Sequence, residues 1–364
     1  MEAKSYSCPQ CGGIMEFDAI SGEMKCPYCG TQMSVDELNR INNNLNSEYS
    51  NDVDDLELNS EHTVEGEFET GEKTGEFKVY RCKGCGAELL TDDNTTATFC
   101  SYCGNPTLIE DRLTGVIMPK YVIPFKHDKH SAREIYTKWA KKGILTPRML
   151  YSSSTIEKIT GIYVPFWLYD YDSITDLTAR CTTVTRRVSG NTETTTTKYY
   201  DVTRQMKNQF DRVPADASIK MDDDKMDKLE PFDYNNLTDF EMPYLSGFYS
   251  EKYDYTSDDM KNRIEKRIAD YALNETRNTI HGYSSVSIVS KNIRLKRLRA
   301  DYALLPVWEL YYTYNGKQYS FLMNGQTGKI VADRPVSKTR AIVIGVITYI
   351  AAFILFMILG GLFG

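Results

Sequence analysis

The chain has 364 residues, 26% of them charged, with a formal net charge of −7. An acidic chain lacks the cationic excess that displaces counterions from nucleic-acid phosphates, so composition argues against nucleic acid as a partner. The length allows two or more folded units, and the short polar start from Met1 to Ser7, with no apolar run after it, does not resemble a secretion signal.

Eight of the nine cysteines form two copies of Cys-x2-Cys-x14-Cys-x2-Cys: Cys8, Cys11, Cys26 and Cys29, then Cys82, Cys85, Cys100 and Cys103. A glycine follows each pair, at Gly12, Gly30, Gly86 and Gly104. Two thiolates so close in sequence share one metal only if the chain turns tightly, and glycine tolerates the positive φ that closes such a turn. Two knuckles on short hairpins then complete a tetrahedral four-thiolate site. The expectation is two structural Zn2+ ions, each saturated and without an open position for water or substrate. A redox pair or a disulfide framework is the competing reading; identical spacing and the absence of a signal sequence weigh against both. Cys181, left over in a β-like run, reads as a small buried side chain.

The first ribbon is expected over residues 1–35 and the second over 78–112. Residues 36–77 between them are rich in Asp, Glu, Asn and Ser, nearly free of Lys and Arg, and read as an acidic flexible linker. Ribbons and linker are themselves acidic: in the first ribbon Lys4 and Lys25 stand against Glu2, Glu16, Asp18 and Glu23.

Residues 113–336 have the composition of a folded α+β region and contain a suggestion of duplication, with halves near 113–213 and 240–336. Pro165, Trp167 and Tyr171 follow the spacing P-x-W-x-x-x-Y, and Pro306, Trp308 and Tyr312 repeat it. An amphipathic helix is expected before each motif: Lys129 to Lys141, then Ser257 to Asn278 with Ile264, Ile268 and Ala272 on one face and Ser257 as its cap. After each motif come antiparallel strands. Leu177 to Val188 and Thr192 to Val202 flank Ser189-Gly190-Asn191, and Tyr311 to Tyr314 and Lys317 to Leu322 flank Asn315-Gly316. The motif strands are apolar on both faces, which favours buried strands over a ligand platform.

No phosphate loop, dinucleotide fingerprint, nucleophile elbow or H-E-x-x-H is present, so no enzymatic activity is expected. His127 and His130 lie three apart without further ligands and read as solvated residues at a helix start, and Asp222 to Asp224 read as a solvated loop. The basic run Lys291 to Arg299 suits the solvent face of a strand or helix with Ile293, Leu295 and Leu298 inside; contact with anionic lipid or nucleic acid is the other reading.

Residues 341–363 contain no charged side chain and, as a helix about 34 Å long, would cross a bilayer core of about 30 Å. Arg334, Lys338 and Arg340 precede this run, so the positive-inside rule puts the bulk of the chain in the cytoplasm, a compartment that suits zinc-loaded thiols.

With the knuckles CPQCGG, CPYCG, CKGCG and CSYCG, the strands YVPFWLY and LLPVWELYY and the terminal apolar run, the chain resembles bacterial zinc-ribbon membrane proteins of the YdjG type, often described as carrying a TFIIB-type zinc ribbon. The resemblance implies a non-catalytic, cytoplasm-facing adaptor that helps place a PspA-family protein at the membrane in a phage-shock-like envelope-stress module. The alternatives are a membrane-tethered nucleic-acid-binding ribbon protein and an enzyme whose site lies in the α+β region.

Overall fold

The computed structural model describes residues 5–49, 78–81, 88–91, 95–100, 106–108 and 117–363. The first unit is a three-stranded antiparallel sheet of β1 (Glu16–Asp18), β2 (Glu23–Lys25) and β3 (Gln32–Met33), followed by α1 (Val35–Tyr49). Strands this short do not hold by pairing alone. They close over the buried side chains of Met15, Phe17, Met24 and Leu38. Leu38 belongs to α1, whose start is capped by Ser34 Oγ accepting from the Glu37 N–H at 3.1 Å. The expected linker therefore does not begin at Asp36: burial of Leu38 draws the segment into a helix as far as Tyr49. Residues 50–77 of that linker lie outside the described residues.

Next come β4 (Lys78–Arg81), β5 (Glu88–Thr91), β6 (Thr95–Phe99) and β7 (Pro106–Leu108), in the antiparallel pairs β4–β5 and β6–β7. The body adds β8 (Tyr121–Val122), α2 (Lys129–Lys142), α3 (Ser153–Ile156), β9 (Thr160–Ser189) and β10 (Thr192–Asp216). It continues with α4 (Asp223–Leu229), β11 (Thr238–Asp239), β12 (Tyr249–Glu251) and α5 (Lys261–Asn278). β13 (Ser285–Tyr314), β14 (Lys317–Asn324), β15 (Ile330–Ala332) and α6 (Lys338–Phe363) complete it. The large sheet runs β11-β8-β13-β9-β12-β6-β7, with β10 on β9 and β14 and β15 beyond β13.

From Gly161 to Tyr171 β9 is buried on both faces, which explains its apolar run from Ile162 to Tyr169. Tyr163, Trp167 and Tyr169 join one core with Tyr136 of α2 and Ile264 and Ile268 of α5. Val164, Phe166 and Leu168 join another with Met226 and Leu229 of α4. The two motif strands are antiparallel neighbours, with Tyr163 opposite Pro306 and Pro165 opposite Leu304. Exchanging one motif for the other leaves this register unchanged. Their indoles are used alike: Trp167 Nε1 donates to the Tyr255 carbonyl at 2.8 Å and Trp308 Nε1 to that of His127 at 3.0 Å, each just ahead of a helix.

β9 and β10 form an arm whose outer part matches the expected strands Leu177 to Val188 and Thr192 to Val202 to within a residue; at its inner end β10 runs on past Val202 as far as Asp216. β13 pairs along the arm up to Ser285 opposite Thr182, and the exposed tip continues on β9 and β10 alone to the turn between Ser189 and Thr192. Other details also depart from the sequence reading. α5 begins at Lys261 rather than Ser257, because Thr256 and Asp259 bond reciprocally in a turn of their own. Asp222 to Asp224 are not a loop, since Asp222 caps α4 by accepting from the Lys225 N–H. Leu298 is exposed because the pairing slips between Arg297 and Arg299.

Candidate metal centre

The first cysteine set is assembled by two copies of one backbone device. Cys8 N–H donates to the Gly13 carbonyl at 2.6 Å and Gly12 N–H to that of Cys8 at 2.9 Å. In the second knuckle Cys26 N–H donates to Thr31 at 2.8 Å and Gly30 N–H to Cys26 at 3.0 Å. Gly12 at φ +74° and Gly30 at φ +77° hold the left-handed positions that reverse each chain, where a β-carbon would be strained.

The four sulfurs of Cys8, Cys11, Cys26 and Cys29 lie within 4.8 Å of one another, with Cys8 to Cys29 at 3.6 Å and Cys11 to Cys26 at 3.5 Å. Four ligands about 2.3 Å from a tetrahedral ion stand about 3.8 Å apart, so the donor set and its spacing fit Zn2+. Covalent pairing would need about 2.05 Å. The Thr31 hydroxyl, 3.0 Å from Cys29 Sγ, together with the Thr31 backbone brings that thiol down to about 6. Gly13 N–H favours the Cys11 thiolate, but the crowding thiols of Cys29 and Cys26 carry it up to about 12. Four thiols this close ionise together only around a cation.

The ribbon is seated firmly on the body. Phe17 N–H donates to the Ser246 carbonyl at 3.0 Å, Ser246 Oγ donates to the Met15 carbonyl at 2.7 Å, and the Phe17 ring meets Tyr244 edge-on at 5.2 Å. A few residues on, β12 takes β6 as a sheet neighbour, so both cysteine-bearing regions are received by the segment 244–251. Of the second set, Cys100 is buried at the end of β6, whereas Cys82, Cys85 and Cys103 lie outside the described residues.

A protein of Bacillus subtilis (strain 168), the uncharacterized protein YdjG, is 38% identical over 336 residues, which is 92% of this chain and 91% of that protein. The chain belongs to the YdjG family. No family profile matches it, and no solved structure matches it. Membership in the YdjG family concerns the chain nearly end to end, whereas the metal centre rests on the thiol geometry alone.

Among the described residues, the cysteines are the one group of three or more potential ligands close enough to hold a metal. His127 does not join His130: its Nδ1 lies 3.0 Å from Ser131 Oγ, and burial lowers its basicity. Cys181 is buried with Leu177, Ala179 and Val202, as expected. The basic run is part of β13, and its arginines face carboxylates: Arg294 to Asp176 at 3.0 Å, Arg297 to Asp258 at 2.8 Å and Arg299 to Asp170 at 2.8 Å.

Two charged clusters escaped sequence reasoning because their members are far apart in the chain. Arg263 meets Asp216 and Asp227 at 3.1 Å, and Arg267 meets Glu230 at 2.7 Å, tying α5 to α4 and β10. Glu309 borders a cavity of 290 Å³ with Lys220, Met221, Glu251 and Tyr311. Burial, and then repulsion from Glu251, pushes its carboxyl up to about 7. α6, for its part, is long and apolar enough to span a membrane between Lys338 and Met357.

Proposed function

We propose that this member of the YdjG family is a non-catalytic zinc-ribbon adaptor, held in the cell membrane by α6 as a single span, with its bulk in the cytoplasm. It recruits a protein partner to the bilayer; the family resemblance implies that this partner would be a PspA-type envelope-stress protein. The observation that carries the reading is the first ribbon. Its four thiols close on one another and fit a structural ion, and the ribbon docks onto a body whose last element is an apolar helix. A saturated zinc shapes a surface for partners instead of activating water. Arg334, Lys338 and Arg340 ahead of the apolar run support the cytoplasmic orientation.

The pairing register supports a second Zn2+ on Cys82, Cys85, Cys100 and Cys103. In the first ribbon Ser7 faces Ile14 and Lys25 faces Gln32, so six residues separate the paired positions around each knuckle. Arg81 faces Glu88 and Phe99 faces Pro106, which brackets the second set at the same six-residue spacing. The exchangeable register of the two motif strands likewise supports a duplicated α+β body.

The test is to co-express the full chain with a fluorescently tagged PspA-family protein. The partner should move to the membrane with the full chain and stay soluble when the chain ends after Thr339. Purified full-length protein should contain two zincs per chain and bind neither DNA nor RNA in a salt-dependent way. Tight salt-dependent binding would instead support the nucleic-acid alternative.

A further inference from the structure

We propose that the junction between α6 and the body is a binding site for the headgroups of anionic phospholipids. The proposal rests on the membrane-anchored reading of α6. The loop after α2 lies against the root of that helix. Ser337 N–H donates to the Leu145 carbonyl at 2.9 Å, Ala341 N–H to that of Ser337 at 3.0 Å, and the Arg340 guanidinium to that of Thr146. Between loop and helix is a cavity of 420 Å³ lined by Lys141, Gly143, Ile144, Tyr151, Arg340 and Ile344. Ile344 is six residues beyond Lys338, which is about 9 Å along a helix. In a bilayer crossed by α6 the cavity therefore opens at the boundary between headgroups and acyl chains.

The local charge suits a phosphate. Residues 135–156 and 334–363 together contain Lys138, Lys141, Lys142, Arg148, Arg334, Lys338 and Arg340 and not one Asp or Glu, in a chain whose net charge is −7. Two of these cations have backbone partners: Arg334 lies over the Trp139 ring at 4.8 Å and donates to its carbonyl, and Arg340 holds Thr146. Lys141, Lys142, Arg148 and Lys338 are exposed.

The same stretch also presents apolar side chains to solvent: Ile144 is 74% exposed, Val336 56% and Met149 41%. A surface meant for water or for nucleic acid gains nothing from a bare Ile144. A surface resting on a bilayer buries it while the lysine stems reach along the interface to the phosphates. Apolar tips, exposed cations and a cavity at the helix root together point to lipid as the ligand.

The experiment uses the full-length protein in nanodiscs of phosphatidylcholine, with or without phosphatidylglycerol. Two readouts are taken: hydrogen exchange over residues 141–151, and the lipid retained on gentle extraction, counted by native mass spectrometry. The expected result is slower exchange of this segment and preferential retention of phosphatidylglycerol. The preference should fall about fivefold for each cation removed at low salt in Lys141→Ser and Lys142→Ser, exposed positions at the end of α2. Equal retention of both lipids, or a preference untouched by these substitutions, overturns the proposal. So does equal protection in neutral detergent by glycerol phosphate alone, which would make the ligand a free anion. Resistance of the wild-type protein to alkaline extraction from membranes reports separately on α6: its loss sinks the anchored reading itself.

Discussion

The first ribbon and the tip of the β9–β10 arm are both built of antiparallel strands, but the buried side chains of the ribbon join the core of the body, whereas the tip of the arm is exposed on both strands. The ribbon's strands are three, three and two residues long, too short to persist by pairing. It depends on four convergent thiols, on Met15 and Met24, which join the core of the body, and on its seat at Ser246. The arm has 30 and 25 residues in β9 and β10 and no ligand cluster among the described residues, and its tip is exposed on both strands. Near the body the arm keeps a small core of Leu177, Ala179, Cys181, Val202 and Ile280; beyond Thr182 the tip relies on backbone pairing and on β-branched side chains that favour the extended chain. Convergent thiols add to a shared core in the small unit, whereas pairing alone carries the exposed tip of the arm.

The severest way to break this contrast is Cys26→Ser. One zinc per chain should be lost by elemental analysis, and the amides of residues 7–33 should lose protection while those of the arm keep theirs. Structural zinc contributes on the order of 10 kcal/mol to such small units. Next is Phe17→Ala, which removes a buried ring at the docking face. About 3 kcal/mol of ribbon stability should go, with zinc still bound, as read by hydrogen exchange with and without chelator.

A third test concerns the body that receives the ribbon. Glu309, raised to about 7, binds a proton more readily in the folded chain than in the unfolded one. Its contribution is therefore fully present below pH 4.5 and is lost as pH rises through about 7. Glu309→Gln should leave acid stability alone and add about 2 kcal/mol at pH 8 in denaturant titrations. If the difference instead grew on acidification, the burial argument would be wrong. The smallest effect belongs to the arm: Val188→Thr, at its exposed tip, should change stability by no more than about 0.5 kcal/mol.

What was legible in the sequence was what is local. The knuckles could be read because thiols two residues apart and a following glycine are a complete instruction for a turn. The doubly buried motif strand announced itself by an apolar run too long for one-sided burial, and the Asn315-Gly316 turn by residues that accept positive φ, here +50° and +75°. The outer arm was legible from its β-branched runs and the Ser189-Gly190-Asn191 turn; the continuation of β10 from Thr203 to Asp216 was not, because polar side chains such as Arg204, Lys207 and Asn208 outnumber the apolar ones that would set a period. The seat of the ribbon was invisible for a different reason. Ser246 and Met15 are separated by 231 residues, and a serine hydroxyl carries no sign of the carbonyl it will meet. α1 was read as linker because its polar face outweighs the single turn that Leu38 buries.

The hydrogen bonds at the root of α6 have a mechanical meaning. If α6 is the span proposed above, a loose tether would fix only how far the protein can wander from the bilayer, whereas fastening at Leu145 and Thr146 also fixes which way it faces. The fastening loop follows α2, whose 14 residues run about 21 Å from that end to Lys129, beside Glu16 of the ribbon. The helix is braced along its length, with Tyr136 edge-on to Phe321 at 4.9 Å, so it works as a beam and not a hinge. A bilayer that thins or thickens changes the tilt of the helices crossing it. Under the proposed anchoring, such a tilt would pass through α2 into the body and into the cysteine ribbon seated on it, so that all three would turn together as the bilayer changes thickness.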